Sequence, residues 1–444
     1  MAWRIGISQK TSGGESGLQV RNRFIRLLFP LMIATFMFDR LRVRPDTAIS
    51  VQRLLYVVMF SGIVMLLLIK PRLRIFPFSS ELFSLLLFNI ALIFSLLFAL
   101  DFSVSAAAVL SIAQLSLTGV IVGIFLCNFW QARDISLLAK TVGWLTMIGS
   151  LTIITDYFGL TNFREWYIPD WPLARQMGIL GEPNFAAGKL AIGLPFIVWA
   201  LERSAASRRF LLITVYTIGL GLSVIAVFLT GSRMGIFMYA VLLLLITVKR
   251  RMYLTSPRIA IIIGLLVIAL FWLLRGPFGE MLDLTISRMN PVWSAVVAGQ
   301  ELEEMSAFKR LKALEIGVLI FRDYPLFGVG MDGYRLIVGY YNLLLTDTYA
   351  HNTYIEILVG TGLLGFIPYI AFLFSVLKRL IIIRQISEIN HLYFYFVLSF
   401  FMLLIHLFFL SDWSNRYMWN LFLPLSLYLE CINVYHRRAL WKSQ

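Results

Sequence analysis

A histidine and three arginines stand at the ends of apolar segments in this chain, where their side chains could do chemistry. His351 lies in the stretch "AHNTYIEILVGTGLLGFIPYI", residues 350–370, which runs directly into a hydrophobic helix pattern. An imidazole with an ordinary pKa of about 6.5 can exchange a proton near neutral pH, so His351 is a candidate general base. Lone histidines are more often structural residues, and that interpretation applies to His391, His406 and His436.

The arginines Arg175, Arg233 and Arg310 could together bind a phosphate group. Each lies close to a predicted helix start or on a predicted helix face. A guanidinium group near a membrane is costly unless it pairs or binds an anion, and it matches phosphate oxygens bidentately. Three of them converging would form a diphosphate site. The alternative is that each arginine pairs with a nearby acid: Glu182, Glu315 or Asp323.

No metal-site or disulfide pattern accompanies these residues. The two cysteines, Cys127 and Cys431, both fall within apolar segments, so we predict packing roles for them. The sequence has no His-x-His or H-E-x-x-H pattern, and its carboxylates are scattered. We therefore expect chemistry that does not use a metal.

The elements that must position these side chains are membrane helices. The chain has 444 residues, of which 59% are hydrophobic and 14% charged, whereas an average soluble domain is about 25% charged. A spanning helix needs about 20 apolar residues. The apolar runs therefore predict an all-α, polytopic membrane protein with about 12 transmembrane helices. The predicted spans are 24–38, 48–69, 75–100, 103–127, 135–158, 183–201, 210–230, 234–248, 259–274, 352–377, 391–410 and 418–434.

Lys and Arg are concentrated in alternate connections, which predicts the orientation of the helices. The basic connections include "KPRLR", "ERSAASRR", "KRRMYLTSPR" and the C-terminal "HRRALWK". Both termini are therefore predicted to be cytoplasmic, and the net charge of +15 reflects these juxtamembrane clusters rather than nucleic-acid binding. The predicted organisation is a cytoplasmic tail 1–23, helices 1–9 within 24–274 with a short periplasmic loop 159–182, a large periplasmic loop 275–351 before the last three spans, helices 10–12 within 352–434, and a cytoplasmic tail 435–444.

The large loop contains a predicted helix and a glycine-rich turn. "ELEEMSAFKRLKALEIGVLIFRDYP" has apolar residues mostly three apart and ends at Pro325, which predicts an amphipathic helix over the outer mouth of the bundle. "GVGMDG", residues 328–333, has the spacing of a dinucleotide-binding motif. That motif requires a preceding strand, so a close-packed turn is the better interpretation.

Four stretches together resemble the O-antigen ligase and polymerase superfamily, bacterial inner-membrane glycosyltransferases acting on undecaprenyl-diphosphate-linked glycans. His351-Asn352, then nine residues, then Gly362 and Gly365, is similar to the signature of the ligases. "RLKALEIGVLIFRDYPLFGVGMDGY" resembles the segment before that histidine, although Leu314 stands where many members carry Trp. "LTGSRMG" and "RQMGILGEPNFAAGKLAIGLPF" resemble the start of the family's core region and one of its helices.

The resemblance implies a metal-independent, inverting transfer of the glycan to an acceptor hydroxyl at the periplasmic face. It implies that His351 is the general base and that the diphosphate is bound by Arg175, Arg233 and Arg310. The supporting residues would be Asn352, Asn184, Gly362 and Gly365. No cofactor is implied. The implied partners are the lipid-linked glycan donor, a lipid A core or other glycan acceptor, and the lipid bilayer, with no nucleic acid. The implied location is the bacterial inner membrane, with the active site facing the periplasm.

Three functions compete at this point. The spacing of His351 and Asn352 favours O-antigen ligation onto lipid A core, and a polymerase of the same superfamily is the alternative with the same chemistry. A flippase or transporter of lipid-linked oligosaccharides is the alternative from another class. Transporters usually show repeats, and broken helices with polar residues near the middle of the membrane. Here the polar residues concentrate at the outer rim, with Lys140, Lys189 and Glu356 as exceptions, so chemistry at the surface is favoured.

Overall fold

The protein is a bundle of α-helices in a computed structural model that describes residues 15–35, 51–163, 175–249 and 305–441, with side chains described within 25–35, 53–163, 175–249 and 308–434. No strand occurs in these ranges. The helices are α1 (Glu15–Thr35), α2 (Val51–Ile69), α3 (Ser80–Ser95), α4 (Phe102–Phe129), α5 (Asp134–Tyr157), α6 (Pro183–Ala206), α7 (Phe210–Leu229), α8 (Arg233–Lys249), α9 (Met305–Asp323), α10 (Tyr334–Tyr341), α11 (Thr353–Ile382), α12 (Tyr393–Phe409) and α13 (Leu423–Trp441). A π-helical segment, Met418–Phe422, leads into α13.

Within the described ranges, seven helices are long and apolar enough to cross a membrane, and two shorter apolar helices accompany them. The chain is therefore a multi-pass membrane protein. Each predicted span except 259–274 overlaps a helix of the structure. The span 259–274, and residues 275–304 of the predicted large loop, lie outside the described residues.

Close packing of α4 against α13 explains why small residues recur on α4. A Cβ atom added at Gly119 would lie 2.4 Å from the carbonyl oxygen of Trp419, and one added at Gly123 would lie 3.0 Å from Leu427. Glycine lets the two helices approach at these positions. Both Cys127, on α4, and Cys431, on α13, are buried and not in a disulfide. The packing role predicted for the cysteines is confirmed.

Helix α11 is broken at Gly362. This glycine has φ 60° and ψ −164°, which is not helical, and a Cβ there would lie 2.2 Å from the carbonyl oxygen of Leu326. The loop 325–330 fills the gap and bonds the backbone groups that the break leaves open. These bonds run from Val329 N–H to Val359 O (2.9 Å), from Gly330 N–H to Gly360 O (3.0 Å), from Leu363 N–H to Pro325 O (2.8 Å) and from Leu364 N–H to Leu326 O (3.3 Å).

The same loop accounts for "GVGMDG". Gly328 and Gly330 both have positive φ, and a Cβ at Gly328 would lie 2.3 Å from the carbonyl oxygen of Val359. Only glycine adopts this conformation at so close an approach. The predicted close-packed turn is therefore confirmed, with α11 as the element that it packs against.

Helix α9 matches the helix predicted before Pro325, but its buried side differs from the apolar pattern. Ala313, Ile316 and Ile320 are buried, mainly against α10 and α11, whereas Phe308 and Leu311 are exposed. The helix is thus apolar on two sides. One side packs on the protein and the other does not.

Candidate active site

The predicted site residues lie at one end of the bundle, where α6, α8 and α11 begin and α7 and α12 end. Backbone hydrogen bonds join these ends. Gln176 N–H bonds Leu229 O at 3.0 Å, and Thr353 N–H bonds Leu410 O at 3.0 Å. Segments that are far apart in the sequence therefore meet here.

Arg175 is buried at this end and its guanidinium group is held in a defined position. Its Nε donates to the carbonyl oxygen of Thr230 at 2.8 Å, and one terminal nitrogen donates to Oδ1 of Asn184 at 2.8 Å. Gly231, which has φ 56°, follows Thr230, and a Cβ there would lie 3.3 Å from Cγ of Arg175. The "TGSR" turn therefore packs directly against the arginine side chain.

Asn184 connects the Arg175 segment to the "TGSR" turn. Its Oδ1 accepts from Arg175 and from the hydroxyl of Ser232 at 3.0 Å, while its Nδ2 donates to Glu182 at 2.7 Å. The other carboxylate oxygen of Glu182 accepts from the backbone N–H groups of Asn184 and Phe185 and so caps α6. Asn184 thus holds the arginine side chain in place, and its supporting role in a reaction stays a prediction.

Arg233 is the first residue of α8, two residues beyond Gly231. Its side chain is half-buried. The turn that packs on Arg175 therefore leads directly into Arg233, and the structure places these two arginines on adjoining segments.

His351 lies immediately before α11 in a backbone conformation that L-residues rarely adopt. Its φ is 51°, and such a conformation costs about 1–3 kcal/mol in a non-glycine residue. The imidazole is half-buried. Burial, together with the positive charge of Arg310 nearby, lowers the pKa of His351 from 6.5 to about 4. The ring is therefore neutral at physiological pH, and Arg310 on α9 is close enough to act on it.

The residues after His351 tie the start of α11 to the end of α12. The side chain of Asn352 accepts from Ile355 N–H at 3.0 Å and caps α11. The hydroxyl of Thr353 donates to Leu410 O at 2.7 Å and accepts from Asp412 N–H at 2.8 Å. The position of His351 is thus coupled to the loop that follows α12.

A polar cleft of about 260 Å³ opens between the start of α6 and that loop. Its charged lining residues are Glu182, Lys189, Asp412 and Arg416, and the other residues that line it include Phe185, Ser411, Ser414, Asn415 and Tyr417. The cleft lies next to both the Arg175 segment and the start of α11. On one side Glu182 accepts a hydrogen bond from Asn184, and on the other the backbone N–H of Asp412 donates to Thr353.

A comparison with known families matches part of this region. The family model described as O-antigen ligase matches residues 218–370, which contain Arg233, Arg310, His351, Gly362 and Gly365. This match supports a similarity of residues 218–370 to the O-antigen ligase and polymerase superfamily. No curated protein matches the chain at significant similarity. The matched segment leaves out Arg175, Asn184 and all the residues that line the cleft.

Two glycines that the resemblance assigns to supporting roles have backbone roles in the structure. Gly362 makes the break in α11. Gly365 is buried in α11, and a Cβ there would lie 2.2 Å from the hydroxyl of Thr361. Both act through the shape of the helix that begins next to His351.

Lys189, Glu356 and Arg416 are polar residues near the site to which the sequence assigned no role. Lys189 donates to Leu180 O at 2.8 Å and lines the cleft with Arg416. Glu356 is buried and accepts from the backbone N–H of Ala350 at 3.2 Å, so it braces the residue before His351. Their positions inside or beside apolar segments could have identified these residues from the sequence, because a charged side chain there is costly without a partner.

His406 contacts the loop that follows α12. Its ring is buried, and Nε2 lies 2.8 Å from the carboxylate of Asp412. Gly188 makes room for it, since a Cβ there would lie 1.9 Å from Nδ1 of the ring. Among the residues with described side chains, no three His, Cys, Asp or Glu side chains are grouped to hold a metal ion.

Proposed function

We propose that this glycosyltransferase-type protein transfers an undecaprenyl-diphosphate-linked glycan to an acceptor hydroxyl at the periplasmic face, by a metal-independent reaction that inverts the anomeric centre. The acceptor that we propose is lipid A core, so that the reaction is O-antigen ligation. One observation carries the proposal. A neutral imidazole, His351, is held in a strained conformation beside Arg310, at the bundle end that also holds Arg175 and Arg233.

The residue types suit this reaction. The acceptor oxygen attacks the anomeric carbon as the bond from that carbon to the diphosphate breaks, and His351 takes the proton of the hydroxyl. The negative charge that grows on the leaving diphosphate is stabilised by the guanidinium groups of Arg175, Arg233 and Arg310. Arg175 is already oriented by Asn184 and Thr230, so it need not be reorganised during the reaction.

Donor binding also prepares the base. Burial and the charge of Arg310 keep the pKa of His351 at about 4, which makes the imidazole a weak base. A diphosphate bound to Arg310 offsets that positive charge and raises the pKa. His351 therefore becomes more basic when the donor is in place, which couples proton removal to the presence of the leaving group.

The cleft fits the sugar part of the substrate. Its lining combines carboxylates, hydroxyls and an amide with the aromatic residues Phe185 and Tyr417. Such groups hydrogen-bond sugar hydroxyls and stack on sugar rings. The position between Asn184 and Thr353 supports a glycan lying between the diphosphate-binding arginines and the base.

The broken helix α11 is a feature that transporters also show, but its surroundings favour an enzyme. In transporters the open backbone groups of a break bind the transported substrate. Here the loop 325–330 bonds four of the backbone groups at the break in α11. The break therefore serves to shape α11 rather than to hold a ligand.

The proposal is tested with His351→Ala, and His391→Ala is the matched control. His391 is another half-buried histidine, stacked on Trp199 at the opposite end of α12 from the site. In a strain that lacks the native gene, we expect His351→Ala to insert normally but to reduce glycan transfer by about 10²–10⁴-fold, the usual contribution of a general base. His391→Ala should retain transfer. Normal surface glycan with His351→Ala at parental protein levels would refute the assignment.

The lipopolysaccharide of the deletion strain separates ligation from polymerisation. If ligation is lost, long lipid-linked chains accumulate while none is attached to lipid A core. A single repeat unit attached to the core would instead identify a polymerase of the same superfamily.

A further inference from the structure

Exposed apolar side chains gather where α9 and α10 end. This surface, called the leaflet patch below, consists of Tyr324, Leu326, Tyr340, Leu343 and Leu344. Tyr340 is 89% exposed and Leu343 is 86% exposed, values far above those of the buried side of α9. Large apolar side chains clustered at such exposure normally mark an interaction surface.

Hydrogen bonds hold α9 and α10 side by side, so these residues form one region. The hydroxyl of Tyr334 donates to Ala313 O at 2.7 Å. At the other end, the hydroxyl of Tyr341 donates to the carboxylate of Asp323. The residues that follow Asp323 therefore lie beside those that follow Tyr340.

The leaflet patch continues into the lipid-facing surface of the bundle. Phe327, next to Leu326, stacks on Phe98 with ring centroids 4.4 Å apart. The backbone N–H of Leu100 bonds Val329 O at 3.1 Å. Phe98 ends one candidate span and Phe102 begins the next, so this contact lies where α3 and α4 reach the edge of the membrane.

The charges of α9 suit a membrane surface. Apart from Arg310, which faces His351, the basic residues Lys309, Lys312 and Arg322 outnumber the acids Glu315 and Asp323 on this helix. Basic residues combined with exposed Phe, Leu and Tyr are typical of segments that lie in the headgroup layer. Glu315 forms an ion pair with Lys312 at 2.8 Å, which offsets the acid nearest the centre of the helix.

We propose that the leaflet patch is buried in the boundary between headgroups and acyl chains of the leaflet at the His351 end of the bundle. Its occupant is phospholipid. Segment 324–344 is then a part of the chain that lies in the membrane surface without crossing it. The charge excess of α9 adds attraction to anionic headgroups.

The test places a nitroxide spin label at Leu343 in full-length protein, in vesicles of phosphatidylethanolamine and phosphatidylglycerol. The native thiols are first removed as Cys127→Ala and Cys431→Ala, and this background is required to retain glycan transfer. Leu343→Cys provides the labelled site, and Tyr340→Cys gives a second one in case the first variant is unstable.

Two further labelled positions calibrate the measurement. Leu68→Cys, 81% exposed on α2, reports lipid, and Ser207→Cys, exposed in the polar connection between α6 and α7, reports water. We expect the Leu343 label to collide with oxygen more often than with a soluble nickel chelate, in a ratio within about twofold of the Leu68 label.

A Leu343 ratio equal to that of Ser207 would overturn the proposal, because the patch would then face water. Dipolar coupling between labels on different molecules would also overturn it, since a second copy of the chain would then cover the patch. Neither result would bear on glycan transfer, which is measured separately.

Discussion

Gly362→Ala is expected to disrupt both the fold and the reaction. Gly362 has φ 60° and ψ −164°, and an added Cβ would lie 2.2 Å from the carbonyl oxygen of Leu326. Alanine in this conformation costs about 1–3 kcal/mol. The overlap also forces the loop 325–330 away from α11, which weakens the hydrogen bonds that bridge the break.

The magnitude follows from these two contributions. Four backbone hydrogen bonds bridge the break, and each contributes about 0.5–1.5 kcal/mol net. If two of these hydrogen bonds are lost, the loss of stability is about 2 kcal/mol, and backbone strain at alanine contributes about 2 kcal/mol more. We therefore expect a destabilisation of about 4 kcal/mol and a fall in Tm of at least about 5 °C. Transfer activity should fall as well, because His351 precedes the half of α11 that would be displaced.

The assay compares thermal unfolding midpoints in detergent at one scan rate, with Gly62→Ala as the control. Gly62 lies within α2 with no atom within 4 Å of an added Cβ. Alanine there should be neutral or stabilise by up to about 1 kcal/mol. A Gly362→Ala protein with the Tm of the parent and full transfer would show that the break is not required.

Two further predictions concern the charges of the site. Arg310→Gln removes a positive charge that lowers the pKa of His351, so the acid limb of kcat/KM should move to higher pH while burial still keeps it below about 6.5. A limb that stays in place or moves to lower pH would contradict the assigned cause. Asn184→Ala removes the acceptor of Arg175 and Ser232, so we expect KM for the lipid-linked donor to rise at least about tenfold, the effect of about 1.4 kcal/mol. An unchanged KM with reduced protein stability would mean that Asn184 is only structural.

The sequence predicted the helices well, because apolar segments of membrane length have few alternatives to a helix. It also placed His351 and the arginines at segment ends, where a polar residue lies outside the apolar run. The match over residues 218–370 supports the resemblance on which the roles of these residues rest. The roles themselves stay predictions.

Contacts between distant segments could not be predicted in the same way. The hydrogen bonds from Arg175 to Thr230 and Asn184 join three segments, and no local sequence pattern predicts such contacts. The break at Gly362 depends on a loop that packs against it from outside α11. The sequence also could not predict which side of α9 is exposed. A helix that is apolar on two sides has no periodicity that distinguishes the buried side from the exposed one.

The break in α11 also sets the depth of the imidazole. At a rise of about 1.5 Å per residue, the part of α11 beyond Gly362, residues 363–382, is about 30 Å long, which alone equals the thickness of the hydrocarbon. The part before it, residues 353–361, adds about 13 Å. In the proposed reaction, that short segment places the His351 ring above the hydrocarbon, at the level of the headgroups, where the lipid-linked donor and the lipid A core can meet.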